Sequence, residues 1–319
     1  MQWLCCLLLL FAVALQRSAH GLAITARQAS ADSLNGIKTG QLVLSPKWNV
    51  NAPSTVRRYD WTLSERKASP GGLEKTVLTV NGQSPGPLIE ANLGDTVEVH
   101  IINQLSEISA IHWHGQAQNG TNHMDGALGI TDCGISPGTS FTYRWTVQTY
   151  GTYWWHAHSG FQYTEGLRGP IVLHSPDDPY SFGPTSTSAK DRLQNTTYDG
   201  DQIMIANDLY NEPAKSYMST YMSPDGFTNE LGTEPVPDCG TVNGHGVCHG
   251  GTNLIRSNMS VYANERYRFR LINAGTLGSI RFSLQGHTMT VIEADGTLIE
   301  PQIVQSVSSN FCLTQKSLA

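Results

Sequence analysis

Charge is scarce in this chain: Asp, Glu, Lys and Arg make up 14% of its 319 residues, and the net charge is -6. With no basic patch, nothing in the composition favours a nucleic-acid partner. Long apolar runs are missing too. The longest, "LCCLLLLFAVAL" (Leu4–Leu15), spans twelve residues, short of the ~20 that cross a bilayer, and no membrane anchor is expected. Sustained helical periodicity is absent, which speaks against a helical bundle. There is no Gly-rich phosphate loop and no C-x-x-C pair, so nucleotide-binding and thioredoxin-like chemistry lack their motifs.

What is present is turn-rich and strand-like. The chain holds 31 Gly and 15 Pro, with 39% hydrophobic residues. Its length allows about two domains. Period-2 alternation recurs: Val97, Val99 and Ile101 share one face of "DTVEVHIIN", and Phe141, Tyr143, Trp145 and Val147 one face of "SFTYRWTV". Turns such as "NGQSPGP" and "SPGTS" separate these runs, and "GPIVLHSP" reads as a closing strand. Many short antiparallel strands at this spacing predict an all-β protein of β-sandwich or Greek-key type. After the Ser/Thr/Pro/Asp-rich linker "SPDDPYSFGPTSTSAKD" (Ser175–Asp191) the pattern resumes in "DQIMIAND", "ERYRFRLIN", "SIRFSLQG" and "MTVIEADG". The expected organisation is a signal peptide over 1–21, an irregular lead-in over 22–54, one β domain over 55–178 and a second over 179–307.

Several features suit an oxidising, extracellular setting. The Leu4–Leu15 run followed by "SAHG" resembles a signal-peptide core with cleavage after Gly21, although no Lys or Arg precedes it. Sequons stand at Asn119, Asn195 and Asn258, as in a secreted glycoprotein. Four cysteines remain beyond the signal: Cys133, Cys239, Cys248 and Cys312. They allow three pairings, of which Cys239–Cys248 would close the Gly-rich "GTVNGHGV" loop.

The chemistry concentrates in two stretches, "IHWHGQAQNGTNHMDG" (Ile111–Gly126) and "YWWHAHSG" (Tyr153–Gly160), each holding a His-x-His pair. On a strand, residues two apart point the same way, roughly 6.5–7 Å apart along the backbone. His112 with His114, and His156 with His158, could therefore each chelate one ion or reach two neighbouring ions. Neutral nitrogen donors of this kind suit copper or zinc. Trp113, Trp154 and Trp155 would exclude water around them. The other histidines read as structural: His100 as solvated, His123 as a loop residue, His174 and His287 as satisfied locally at strand ends. In "GHGVCHG", His245, Cys248 and His249 imitate a soft metal site, but Cys239 offers Cys248 a disulfide.

"HWHG" (His112–Gly115), "MDG" (Met124–Gly126), "TDCGISPG" (Thr131–Gly138) and "WWHAHSG" (Trp154–Gly160), in that order, resemble the first domain of laccase-type multicopper oxidases, most of all the secreted ascomycete laccases. "YRFRLINAG" and "HTMTVIEADGTLIEP" (His287–Pro301) resemble the second domain. The resemblance implies tandem cupredoxin-like Greek-key β-sandwich domains and copper as cofactor. It implies an oxidase that takes electrons from phenolic small molecules and reduces O2 to water. By the same resemblance His112 matches a type 2 copper ligand, and His114, His156 and His158 match type 3 ligands. Asp125 matches a carboxylate that assists proton delivery.

The resemblance also predicts motifs that the chain lacks. H-P-x-H-x-H-G and H-C-H-x-x-x-H, which in the family bring the type 1 ligands and the rest of the trinuclear cluster, do not occur among its residues. The strand pattern persists through "EPQIVQSV" (Glu300–Val307) and breaks at "SSNFCLTQKSLA" (Ser308–Ala319). This predicts an aberrant tail over 308–319, a clipped second domain with exposed sheet edges, and no third domain. The alternatives are a secreted, non-catalytic copper binder or inactive remnant, and a two-domain laccase that completes its cluster across subunits. The last would need a Cys-centred motif in its second domain, and residues 180–319 supply none.

Overall fold

The computed structural model describes residues 42–182, 197–227, 232–252, 255–309 and 315–318. The signal segment, most of the lead-in, Asn195 and Cys312 lie outside the described residues. The strands of the first domain are β1 (Val56–Ala68), β2 (Lys75–Val80), β3 (Ile89–Asn92), β4 (Thr96–Asn103), β5 (Ile111–His114), β6 (Ser140–Thr146), β7 (Gly151–Ala157) and β8 (Arg168–His174). They form two four-stranded sheets, β2-β1-β4-β6 and β3-β8-β7-β5.

The alternation read from the sequence is the reason these strands form a sandwich. Val97, Val99 and Ile101 are fully buried, and Tyr143 and Trp145 join them from β6, with Val147 just past its end. Phe141 shares their face but is 38% exposed. His100, on the outer face, bonds Thr142 Oγ1 through Nδ1. The core is aromatic: Trp61 stacks on Trp155 with centroids 4.5 Å apart, and Trp113 meets Trp61, Tyr143 and Trp145. Each buried Trp removes ~150–250 Å² from water, worth about 4–6 kcal/mol of transfer free energy as an upper bound. The ladders are not all antiparallel, as the sequence had suggested. β1 runs parallel to β4 and β3 parallel to β8, because the chain passes between sheets before returning beside an earlier strand.

The second domain contains β9 (Ser181–Phe182), β10 (Thr197–Tyr198), β11 (Gly200–Leu209), β12 (Cys239–Val242), β13 (His245–Gly246), β14 (Tyr267–Asn273), β15 (Ile280–Ser283), β16 (Met289–Ala294), β17 (Thr297–Val304), β18 (Ser306–Ser309) and β19 (Gln315–Leu318). Its main sheet has the order β13-β12-β11-β14-β19-β16-β17, and β11 and β14 are again parallel. β19 departs from expectation. The sequence pattern collapses after Val307, yet β19 pairs with both β14 and β16 in the middle of the sheet. Backbone N–H and C=O groups pair whatever side chains they carry, so a segment without apolar alternation can still fill a gap between two strands.

The domains are joined by a continuous buried layer. Leu44, Leu88, Trp154 and Val172 pack with Ile203, Ile205, Ile272 and Ala274 of the second domain. Leu44 belongs to the segment read as an irregular lead-in. Here Leu44 N–H donates to Asp201, and Ile203 N–H donates to Leu42, so the segment lies along β11. Cys239 and Cys248 form a disulfide, as the loop between them predicted. That loop docks on the Pro70–Gly72 turn, with Gly246, Cys248 and Thr252 N–H groups donating to Pro70, Gly71 and Gly72. A Cβ on Gly71 would fall 2.1 Å from Cys248 Sγ, so only glycine admits this contact.

Candidate metal centre

The two His-x-His stretches become adjacent antiparallel strands. β5 pairs with β7 in a register that sets His112 opposite His156, Trp113 opposite Trp155 and His114 opposite Trp154. Pleat alternation then sorts the side chains by face. Trp113, Trp155, Ile111 and Ala157 enter the sandwich core. His112, His114, Trp154 and His156 share the other face.

There the rings converge. His112 lies 5.8 Å from His114, 5.3 Å from His156 and 5.5 Å from His158, centroid to centroid. His112, His114 and His156 each present a ring nitrogen, and these atoms all lie within 4.8 Å of one another. His158, just past the end of β7, is exposed and stays outside that trio, although its ring stacks at 5.9 Å on His156.

The orientation of the rings follows from what holds their outer nitrogens. His112 Nδ1 lies 2.8 Å from the Asp125 carbonyl oxygen, and His156 Nδ1 lies 3.0 Å from that of Ala157. A carbonyl only accepts, so both Nδ1 atoms carry the proton and both Nε2 atoms offer a lone pair. His114 Nδ1 lies 3.3 Å from His156 Nε2. Burial pushes His114 down to about 4, helped by its neighbours His112 and His158. Burial pushes His156 down to about 3; the Ala157 carbonyl opposes this and the surrounding histidines add to it. Neutral imidazoles with oriented tautomers are what a nitrogen-ligated metal requires. The donor set is all nitrogen, without carboxylate or thiolate, and it fits copper.

Asp125 sits where the sequence directed attention, but its contact is with the outer side of His112. Its carbonyl accepts a hydrogen bond from Nδ1–H, and its carboxylate Oδ1 lies 3.3 Å from the same nitrogen. Trp113 Nε1 donates to the Met124 carbonyl, tying the same loop to β5. Gly126 makes this approach possible. Its φ is +77°, and a Cβ there would fall 1.8 Å from the Ile111 carbonyl oxygen. The "MDG" motif is thus the loop that braces the first histidine pair.

The other described histidines stay out of the centre. His123 is exposed on the loop, and His287 Nδ1 is satisfied locally by Gln285. His174 differs from expectation: its partner is not local but Glu90 on β3, at 2.9 Å, with Trp48 stacked 5.3 Å away. Cys248 is held in its disulfide, which removes the thiolate the "GHGVCHG" stretch would need. Cys133 is free and exposed. Sequence reasoning missed Tyr163, whose ring lies 5.3 Å from His156. It stands outside both His-x-His motifs, and nothing in its local sequence marks it.

No helix among the described residues is long and apolar enough to cross a membrane. Two family models, both described as Multicopper oxidase, match residues 62–178 and 200–308. Laccase-2 of Cryptococcus neoformans var. grubii is 36% identical over 278 residues, which cover 83% of this chain and 44% of the relative. The iron transport multicopper oxidase FET3 of Gibberella zeae is 35% identical over 251 residues, covering 78% of this chain and 36% of the relative. Among solved structures, Fet3p, a multicopper oxidase that functions in iron import, superposes with a TM-score of 0.70 at 28% identity, over 82% of this chain and 45% of its own. The laccase from Botrytis aclada gives 0.69 at 26% identity, over 86% and 49%. The chain spans less than half the length of each of these four relatives. With two matched domains and a convergent histidine face between β5 and β7, the chain belongs to the multicopper oxidase family, as the N-terminal portion of a laccase-type member.

Proposed function

We propose that this chain supplies one wall of a copper cluster in a laccase-type oxidase, with His112, His114, His156 and His158 as ligands. The observation that carries the reading is the convergence of three imidazole nitrogens within 4.8 Å on the paired strands β5 and β7. Bound copper would supply one-electron redox chemistry and a site for O2. The chain's own residues hold neutral imidazoles in place, orient them through the Asp125 and Ala157 carbonyls, and cover them with Trp154. Asp125 touches the outer nitrogen of His112 and is partly open to solvent, and we assign it to delivering the protons that O2 reduction consumes. The residues of this chain do not include a His-Cys-His ligand set, so substrate oxidation belongs to a protein that adds those ligands.

Phenols are the substrate class favoured by the laccase resemblance. A second reading, ferrous iron, is favoured by the relatives named for iron transport. Secretion and glycosylation fit the exposed sequons at Asn119 and Asn258. The test begins with the chain itself, loaded with Cu(I) and passed over a chelating resin. Copper should be retained by the parent chain and lost in His112→Ala and His156→Ala. A parent chain that retains none removes the reading. Oxygen uptake by a protein that joins this chain to the missing ligand motifs, given a diphenol or ferrous iron, then separates the two substrate classes.

A further inference from the structure

We propose that Thr152, Arg270 and Glu293 are positioning residues for the histidine face of β7. The second domain, which places no imidazole in the trio, would thereby set the copper affinity of the first. The inference rests on the reading that His112, His114 and His156 bind copper.

Thr152 lies on β7 four residues before His156 and is fully buried. Its N–H donates to Glu293 Oε1 at 2.8 Å, and its Oγ1 accepts from Arg270 Nη1 at 3.0 Å. Both partners belong to the second domain, on β16 and β14. They are themselves immobilised. Arg270 is held in a two-pronged pair by Asp201, with both N–H···O distances 2.8 Å. Glu293 Oε2 receives Arg268 at 2.7 Å, and Arg268 also reaches Asp178 at 2.8 Å. Next to Thr152, Gly151 leaves no slack: a Cβ there would fall 2.8 Å from Gly296 Cα.

Between this anchor and the histidines stands Trp154, on the same pleat face. It packs on Ile203, Ile205, Ile272 and Ala274 of the second domain. Its ring lies 4.3 Å from that of His156 and 5.1 Å from that of His114. Among the described residues β5 is an edge strand paired with β7, so what locates β7 also acts on the pair carried by β5, which the Asp125 loop braces from its other side.

The chemistry of the anchor argues for position rather than cohesion. Buried ion pairs suffer desolvation that offsets much of their attraction, and apolar contacts would join two domains as well. What a guanidinium–carboxylate network of this kind adds is directional constraint: Arg270 bonds Asp201 through two nitrogens and Thr152 through Nη1, and Arg268 bonds Asp178 and Glu293. Here the constraint ends on the backbone N–H of the strand that carries the ligands.

The test uses the whole chain as Thr152→Val, Glu293→Gln and the conservative Thr152→Ser. Cu(I) affinity is read by competition with a chromogenic chelator, the Cu(II) site by EPR, and β7 by amide hydrogen exchange without copper. Thr152→Val should weaken copper about 10-fold, the lower end of what losing a group bonded directly to a ligand costs, since Thr152 acts through β7. It should also change the EPR signature and speed exchange at Trp154 and His156. Glu293→Gln should act in the same direction, and Thr152→Ser should restore parent behaviour. If Thr152→Val and Glu293→Gln melt earlier but keep parent affinity and spectrum, the network is merely structural and the inference is overturned. If the parent chain binds no copper, the reading of the site fails and takes the inference with it.

Discussion

β5 and β7 have two faces with opposite characters. One carries Ile111, Trp113, Trp155 and Ala157, all buried, in contact with Trp61, Tyr143 and Trp145. The other carries His112, His114, His156 and the flanking His158, which range from buried to exposed, with Trp154 and Tyr163 beside them. A period of two in side-chain direction lets one short ladder do both jobs. The Trp face supplies stability and rigidity, and the His face presents imidazole nitrogens, the proposed copper ligands, at positions that rigidity defines. The comparison teaches that the motif "HWH" followed by "WWHAH" is an alternation of core and site, in which each Trp is as necessary as the His beside it.

The largest expected effect comes from the core face. Trp155→Ala should lower unfolding stability by about 3–5 kcal/mol, measured by urea denaturation, because the ring is fully buried against Trp61 and between Gly86 and Gly169. A cost under about 1 kcal/mol would break the division between the faces.

Gly126→Ala should come next. A positive φ and a clash with the Ile111 carbonyl oppose any side chain there, and strain of this kind costs about 1–3 kcal/mol. Its signature should be double, a lower melting temperature together with weaker copper retention, since the Asp125 carbonyl that orients His112 moves with the loop.

His112→Ala should be small in stability, within about 1 kcal/mol, yet should abolish copper retention, since the ring is partly exposed but central to the trio. Thermal melts and metal analysis on one sample check both halves. A destabilisation as large as that of Trp155→Ala would mean that the His face also holds the sandwich together.

The smallest effect concerns acid, away from the copper face. Burial would raise the Asp95 carboxyl, but N–H donors from Asn92 and Thr55 and the Arg57 guanidinium hold it below the usual range. A depressed folded value means stability that is present above the unfolded value, near ~3.9, and lost as pH falls through the folded one. Asp95→Asn should therefore be less stable than the parent at pH 7, and the gap should close as the pH is lowered through the acid limb. Urea midpoints across that range measure it, and a gap that widened with acid would contradict the assignment.

Much of this was legible because it is local. The alternation of Val97, Val99 and Ile101 announced β4, and the two His-x-His pairs announced the site. The Cys239–Cys248 spacing announced its loop. Less legible were β19, where backbone pairing prevails over an unfavourable side-chain pattern, and the parallel ladders, which depend on how the chain crosses between sheets.

By itself, then, the sequence determined an all-β chain of the multicopper oxidase family, with four histidines in two strand-spaced pairs and tryptophans beside them. Only the tertiary structure decided that His112 stands opposite His156, that carbonyls of Asp125 and Ala157 set the tautomers, and that Arg270 and Glu293 grip β7 through Thr152. The physical reason is distance along the chain. Side-chain periodicity is written in neighbouring residues, whereas hydrogen bonds between residues 118 and 141 positions apart exist only once the sheets have packed.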